Sequence, residues 1–128
     1  MNTPPPYTCW IFCNVIDNFG DAGVCWRLAR RLLALGVGSV RLVTDHPDVL
    51  ALIAPEAGSI VRVAEWNAFE REAAAPGFDP AELVIESFGC RLPEAYDEAL
   101  AKKRAAAKAA GRTPPFYLNL DYLSAEDW

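Results

Sequence analysis

Apolar positions follow two rhythms along this chain, and the switches between them mark its elements. Residues 8–15 carry Cys9, Trp10, Ile11, Phe12, Cys13 and Val15 almost without interruption, a run that predicts a strand covered on both faces. From Val24 the rhythm becomes helical: Val24, Leu28, Leu32 and Leu35 recur on one face, Arg27, Arg30 and Arg31 fall elsewhere, and Gly36 supplies a stop. Residues 40–44 predict a second strand, and Asp45-His46-Pro47 turns into a short helix over 48–54. A third strand follows over 60–63, then a helix over 66–74 closed by Pro76-Gly77. Leu83, Val84 and Ile85 form a short strand ending at Glu86-Ser87-Phe88-Gly89. Residues 96–110 are the longest helical stretch, with Leu100 and many alanines before Gly111, and Phe116 to Leu120 is a fifth strand. This alternation predicts an α/β fold, a Rossmann-like open parallel sheet flanked by helices.

The chemistry gathers between the first strand and the first helix, in Val15-Ile16-Asp17-Asn18-Phe19-Gly20-Asp21-Ala22-Gly23-Val24. Open α/β sheets bind ligands outside the carboxyl ends of their strands, and this turn occupies such an end. Gly20 and Gly23 make only G-x-x-G, short of a dinucleotide fingerprint. Asp17 and Asp21 would repel a bare phosphate, so the turn suits a cation, a proton transfer or a metal ion better. A guanidinium fits, because a carboxylate accepts its paired N–H donors side by side. Simple turn chemistry explains the same residues: Asp21 as helix N-cap, Asp17 and Asn18 as turn formers, the glycines as sources of positive φ. Glu86 places a second carboxylate beside a glycine at a strand end and would share a pocket with Asp17 if the two strands are neighbours; an ordinary solvated glutamate is the alternative.

The 128 residues allow one domain with a real core. A net charge of −5 argues against nucleic acid as the main partner and for a basic one. Cys9, Cys13, Cys25 and Cys90 show no zinc-ligand spacing. Cys9 and Cys13 lie about 13 Å apart on one strand, beyond disulfide reach, so they read as core residues in a reducing compartment. No apolar run reaches membrane-spanning length and residues 1–7 form a disordered, proline-rich lead-in, which predicts a cytoplasmic protein without a membrane partner. Lys102, Lys103, Arg104, Lys108 and Arg112 complement a helix dipole, His46 is a loop histidine, and Trp10 and Trp66 serve the core. Ser124-Ala125-Glu126-Asp127 carries the signature of a helix N-terminus at the end of the sequence, the start of a truncated helix over 124–128.

Three ordered blocks add a resemblance. Trp10-Ile11-Phe12-Cys13 with 15–30, then Glu86-Ser87-Phe88-Gly89-Cys90-Arg91-Leu92-Pro93, then 119–128, resemble the N-terminal signature of the EarP family, bacterial protein-arginine rhamnosyltransferases that modify elongation factor P. The resemblance implies the N-terminal half of a GT-B glycosyltransferase: residues 8–123 as a Rossmann-like acceptor-side domain, with TDP-rhamnose bound mostly by a C-terminal domain absent here. It implies Asp21 as general base and Asp17 as companion carboxylate; Asn18, Phe19, Gly20, Gly23 and Glu86, around the two strand ends, are the expected substrate-binding residues. Inversion at the anomeric carbon, no metal and no cofactor beyond the donor sugar complete the expectation. Ala22, where a bulkier aliphatic is usual, and Asp121, where glutamate is expected, depart from the family pattern. Two readings from other classes stand beside it: a non-catalytic docking domain for a basic protein partner, and a magnesium-dependent phosphotransfer or receiver-like domain.

Overall fold

A computed structural model describes residues 7–15 and 19–121. Ten elements alternate through it: β1 (Thr8–Cys13), α1 (Phe19–Ala34), β2 (Ser39–Thr44), α2 (Pro47–Ile53), α3 (Ala57–Ile60), β3 (Arg62–Glu65), α4 (Trp66–Ala73), β4 (Leu83–Ser87), α5 (Glu94–Ala109) and β5 (Phe116–Leu120). The five strands form one sheet in the order β3-β2-β1-β4-β5, and every neighbouring pair is parallel. This is the Rossmann-like arrangement that the alternation predicts. The order follows from the handedness of crossovers. Steps from β1 to β2 to β3 carry α1, α2 and α3 on one face, and the return to β4 and β5 carries α4 and α5 on the other.

The period-two geometry of the strands sorts β1 between two cores. Cys9, Ile11 and Cys13 point to the layer of α1 and α2, where they meet Cys25, Trp26, Ala29 and Leu50. Phe12 points the other way, toward Phe69, Ala73, Tyr96 and Leu100, with Trp10 half-buried among them. The second layer is aromatic. Phe12 and Tyr96 lie 4.8 Å apart between ring centroids, and Trp10 meets Phe69 edge-on at 5.3 Å. Fully buried Phe12, Phe69 and Tyr96 each contribute about 1.5–3 kcal/mol by leaving water. Trp10 and Trp66 thus belong to this core, as their composition suggests.

One charge enters that layer. Arg41 of β2 is 8 % exposed, forks onto the Glu72 carboxylate at 3.1 and 2.6 Å, and covers the Phe69 ring at 4.8 Å. The guanidinium beside it holds the Glu72 carboxyl below the usual carboxylate range. Carboxylate and aromatic faces together replace the water Arg41 gave up.

Several boundaries differ from those read in the sequence, among them β4, which runs on to Ser87, and α5, which begins at Glu94. Helix α1 begins at Phe19 rather than after Asp21. Residues 57–60, whose apolar end looked like the start of a strand, form the short helix α3, so β3 is displaced to Arg62–Glu65. Glu65 then caps α4, accepting from the backbone N–H of Asn67 at 2.6 Å and of Ala68 at 3.2 Å, which satisfies two of the helix's orphan donors. Residues 1–6 of the proline-rich lead-in read over 1–7, Asp17, Asn18 and the helix start over 124–128 lie outside the described residues.

Candidate active site at the carboxyl end of the central strand

β1 is the middle strand of the sheet, and the chain turns one way from it to β2 while β4 lies on its other side. Its carboxyl end is therefore the point where the winding reverses, the position at which sheets of this kind hold ligands. Asp21 stands at that end, in the first turn of α1.

As a residue inside the first turn of the helix, Asp21 is not its N-cap. Gly23 lies in helical backbone and Gly20 is also within α1, so neither supplies the positive φ expected of a turn. A Cβ at Gly23 would sit 3.9 Å from Ile53 Cδ1, an ordinary van der Waals contact, so the packing of α1 on α2 does not itself demand glycine there. Phe19 is 61 % exposed at the first helical position, on the far side of the helix from Asp21. Asp21 itself is 6 % exposed, an unusual burial for a carboxylate, and its charge reaches the thiols of Cys13 and Cys25 beneath it. Helix dipole and backbone N–H groups favour an anion at this turn.

The approach to the site is held from both sides by residues that motif reading passed over. Asp45, at the end of β2, accepts from the Val15 backbone N–H at 2.7 Å. Thr44 Oγ1 lies 3.5 Å from the same Asp45 oxygen, while accepting from the His46 N–H at 3.2 Å. Asn14 donates from Nδ2 to the Cys90 carbonyl at 3.3 Å. The backbone leaving β1 is thus tied to the ends of both neighbouring strands. Asp45 had been legible only as part of a turn before Pro47, because a side chain that bonds thirty residues away leaves no local signal. His46 stays at the surface, within ion-pair distance of Asp45 and Asp48.

Beyond β4 the chain adopts left-handed backbone at Phe88 (φ 53°), Gly89 (φ 68°) and Arg91 (φ 59°). Only glycine takes such angles without steric cost. The Phe88 N–H donates to the Leu120 carbonyl at 2.6 Å, which compensates by stitching this turn to β5. Glu86 pairs in register with Phe12 of β1 and Asn119 of β5, so β1 and β4 are indeed neighbours. Its side chain shares the face of Phe12, the α4–α5 side, and accepts a hydrogen bond from the Tyr117 hydroxyl. Glu86 and α1 thus belong to opposite faces of the sheet. Burial first, then the Glu86 carboxylate, pushes the Tyr117 hydroxyl above its ordinary pKa.

A thiol and hydroxyl cluster floors the site. Cys25 Sγ lies 3.4 Å from Ser87 Oγ, and Ser87 donates to the Phe12 carbonyl at 2.5 Å, which Cys90 Sγ also approaches at 3.4 Å. The bond to Cys25 and burial push the Cys13 thiol up, while burial takes Cys90 to about 11 and Cys9 to about 12. All four cysteines are free. Because these folded-state values lie above the ordinary thiol value near 9, the folded protein holds protons that the unfolded chain has released. Their contribution is complete below pH 9 and is lost as pH rises toward 11 and 12. Denaturant titrations at pH 8 and pH 10.5 should show a loss of about 2 kcal/mol each for Cys9 and Cys90, and Cys9→Ala with Cys90→Ala should flatten that limb. A pH-independent midpoint in the parent chain would contradict this account.

A concavity of about 590 Å3 lies between the end of α4 and α5, lined by residues that include Phe78, Asp79 and Lys103. It contains neither Asp21 nor Glu86. Lys103 there bonds the Pro80 carbonyl and pairs with Asp79 at 2.9 Å. No helix among the described residues is long and apolar enough to cross a membrane.

Residues 9–128 match the family model described as elongation-factor P (EF-P) rhamnosyltransferase EarP. A protein-arginine rhamnosyltransferase of Pseudomonas aeruginosa is 42 % identical over 121 residues, covering 92 % of this chain and 30 % of that protein. One from Neisseria meningitidis is 39 % identical over 134 residues, covering 99 % of this chain and 31 % of its own length. A third, from Shewanella oneidensis, is 35 % identical over the whole of this chain and 33 % of itself. The chain therefore spans about a third of the length of the curated relatives it matches. With the site at the carboxyl end of β1 inside the matched residues, the chain belongs to the EarP family of rhamnosyltransferases.

Proposed function

We propose that this chain is the acceptor-side, N-terminal part of a GT-B protein-arginine rhamnosyltransferase of the cytoplasm, moving rhamnose from TDP-rhamnose to an arginine of elongation factor P with inversion. The observation that carries the reading is the buried carboxylate of Asp21 in the first turn of α1, where the winding of the sheet reverses. The rhamnosyltransferase names of the relatives supply the reaction class.

Arginine stays protonated near neutral pH and its guanidinium has no lone pair to offer until an N–H is drawn away. Asp21 accepts that proton as the guanidinium nitrogen attacks the anomeric carbon, and the bond from that carbon to the TDP oxygen breaks on the opposite face of the sugar. The net charge of −5 favours approach of a cationic side chain. Asp17 serves as the companion carboxylate that orients the guanidinium while Asp21 takes the proton, so that the two tasks are divided between two carboxylates. Asn18 and Gly20 belong to the acceptor side of this turn, Phe19 and Gly23 lie near it on other faces of α1, and Glu86 stands on the neighbouring strand. Donor contacts fall mostly to polypeptide beyond this third, and no resident cofactor or metal enters the scheme.

The test is a titration of the 128-residue chain with elongation factor P, followed by amide resonances of Phe19 to Val24, and repeated with the acceptor arginine changed to alanine. Shifts with the first partner that vanish with the second are the expected result. Equal shifts with both would turn the reading toward a docking surface that does not recognise the arginine.

A further inference from the structure

Strand β1 is pinned at both ends by a carboxylate that lies outside it. At the amino end the Thr8 N–H donates to Glu82 Oε2 at 2.9 Å, and at the carboxyl end the Val15 N–H donates to Asp45 Oδ1 at 2.7 Å. The register places both. Cys9 pairs with Leu83 and Cys13 with Thr44, so Glu82 stands one residue before β4 and Asp45 one residue past the end of β2. In each case a backbone donor at the margin of the ladder finds a charged acceptor, a stronger bond than a neutral one. Only the second pin faces the site. Val15 is 2 % exposed, and Phe19 opens α1 four residues later. Asp17 lies two residues on in the sequence, so the chain can carry its Cα no further than about 7 Å from this point. The Asp45 carboxylate is itself held, with Thr44 Oγ1 3.5 Å from Oδ1 and His46 Nε2 3.7 Å from Oδ2.

We infer that Asp45 is a positioning residue of the transfer reaction: by fixing Val15 it sets where the turn that carries Asp17 and Asp21 meets the acceptor guanidinium, an assignment that rests on the function proposed above. Spacing of this kind matters because a misplacement of about 1 Å at reacting groups can cost about 100-fold in rate. Asp45 itself touches neither the guanidinium nor the sugar in this account; it acts through the Val15 N–H. Glu82 makes the matching bond at the far end of the same strand, roughly 20 Å from Val15. It holds the sheet without setting the turn. The two pins are therefore alike in chemistry and in what they do for β1, and they differ only in which end of the strand they fix.

Asp45→Ala, Asp45→Asn and Glu82→Ala are compared for turnover in a full-length rhamnosyltransferase carrying these 128 residues, and for amide hydrogen exchange in the 128-residue chain. Asp45→Ala should lower kcat at least about tenfold with KM for the sugar donor unchanged. Asparagine, whose amide oxygen can still accept from Val15, should restore kcat to within about threefold of the parent. Glu82→Ala should lower the melting temperature as far as Asp45→Ala does, to within about 3 °C, and leave kcat at the parent value. Exchange at the Val15 amide should quicken at least about tenfold in Asp45→Ala and stay unchanged in Glu82→Ala. Equal losses of kcat in Asp45→Ala and Glu82→Ala overturn the inference, because both then act through the strand as a whole. So does an asparagine variant as slow as the alanine one, which would give the Asp45 charge a direct part in the chemistry. Val15 exchange that Asp45→Ala leaves unchanged overturns it as well. Asp21→Asn in the same enzyme keeps two failures apart: if it is inactive while Asp45→Ala is fully active, the inference falls and the proposed function stands, whereas an active Asp21→Asn overturns both. Should Asp45→Ala not fold, Asp45→Ser, too short to reach Val15, is read by the same measures.

Discussion

Replacing Asp21 by asparagine in a full-length rhamnosyltransferase carrying these 128 residues should lower the transfer rate at least about 100-fold, the usual minimum for loss of a general base. The loss should fall on kcat with little change in KM, because proton acceptance develops in the transition state. Asparagine keeps the shape of the buried side chain at 6 % exposure and removes a charge from the first helical turn, which costs about 0.3–1 kcal/mol. Thermal stability should therefore fall by only a few degrees. Transfer within fivefold of the parent would remove Asp21 from the role of base. A variant that melts far below the parent would instead mark Asp21 as a structural anion of α1.

The reason that prediction can be made at one residue lies partly in the sequence and partly outside it. Cys9 to Cys13 could be read as a central strand because both faces are covered, so apolar residues occupy consecutive positions. Strand β5 was read correctly from a similar apolar run, although Phe116, Tyr117 and Leu118 are exposed. Gly20 and Gly23 misled in the other direction: glycine is a common turn signal, yet both lie within α1. The ties that frame the site have no local trace. Asp45 to Val15, Asn14 to Cys90 and Tyr117 to Glu86 all join residues distant in the chain. Residue types at the site were legible from one stretch; the bonds that hold its rim were not.

The largest loss of stability should come from the opposite layer. Phe69→Ala removes a fully buried ring that lies 5.3 Å from Trp10, 5.4 Å from Phe12 and 5.6 Å from Tyr96 between centroids. It also strips the aromatic face from Arg41, whose Nε has no hydrogen-bond partner among the described residues. Cavity formation costs about 3–5 kcal/mol, and the exposed flank of the guanidinium adds to it because a buried charge is tolerated only while its surroundings substitute for water. For a chain of this size about 4 kcal/mol corresponds to a fall in Tm of roughly 10–20 °C. Leu52→Ala, at a position 77 % exposed, should stay within about 0.5 kcal/mol of the parent. A loss below about 1 kcal/mol for Phe69→Ala would show that the layer relaxes into the space. Because Asp21 lies on the α1 side of the sheet, the folded fraction of a full-length Phe69→Ala enzyme should retain its kcat, whereas Asp21→Asn should lose activity while remaining folded. That opposite pairing of stability and turnover separates the residues that hold the sheet from the one assigned to its chemistry.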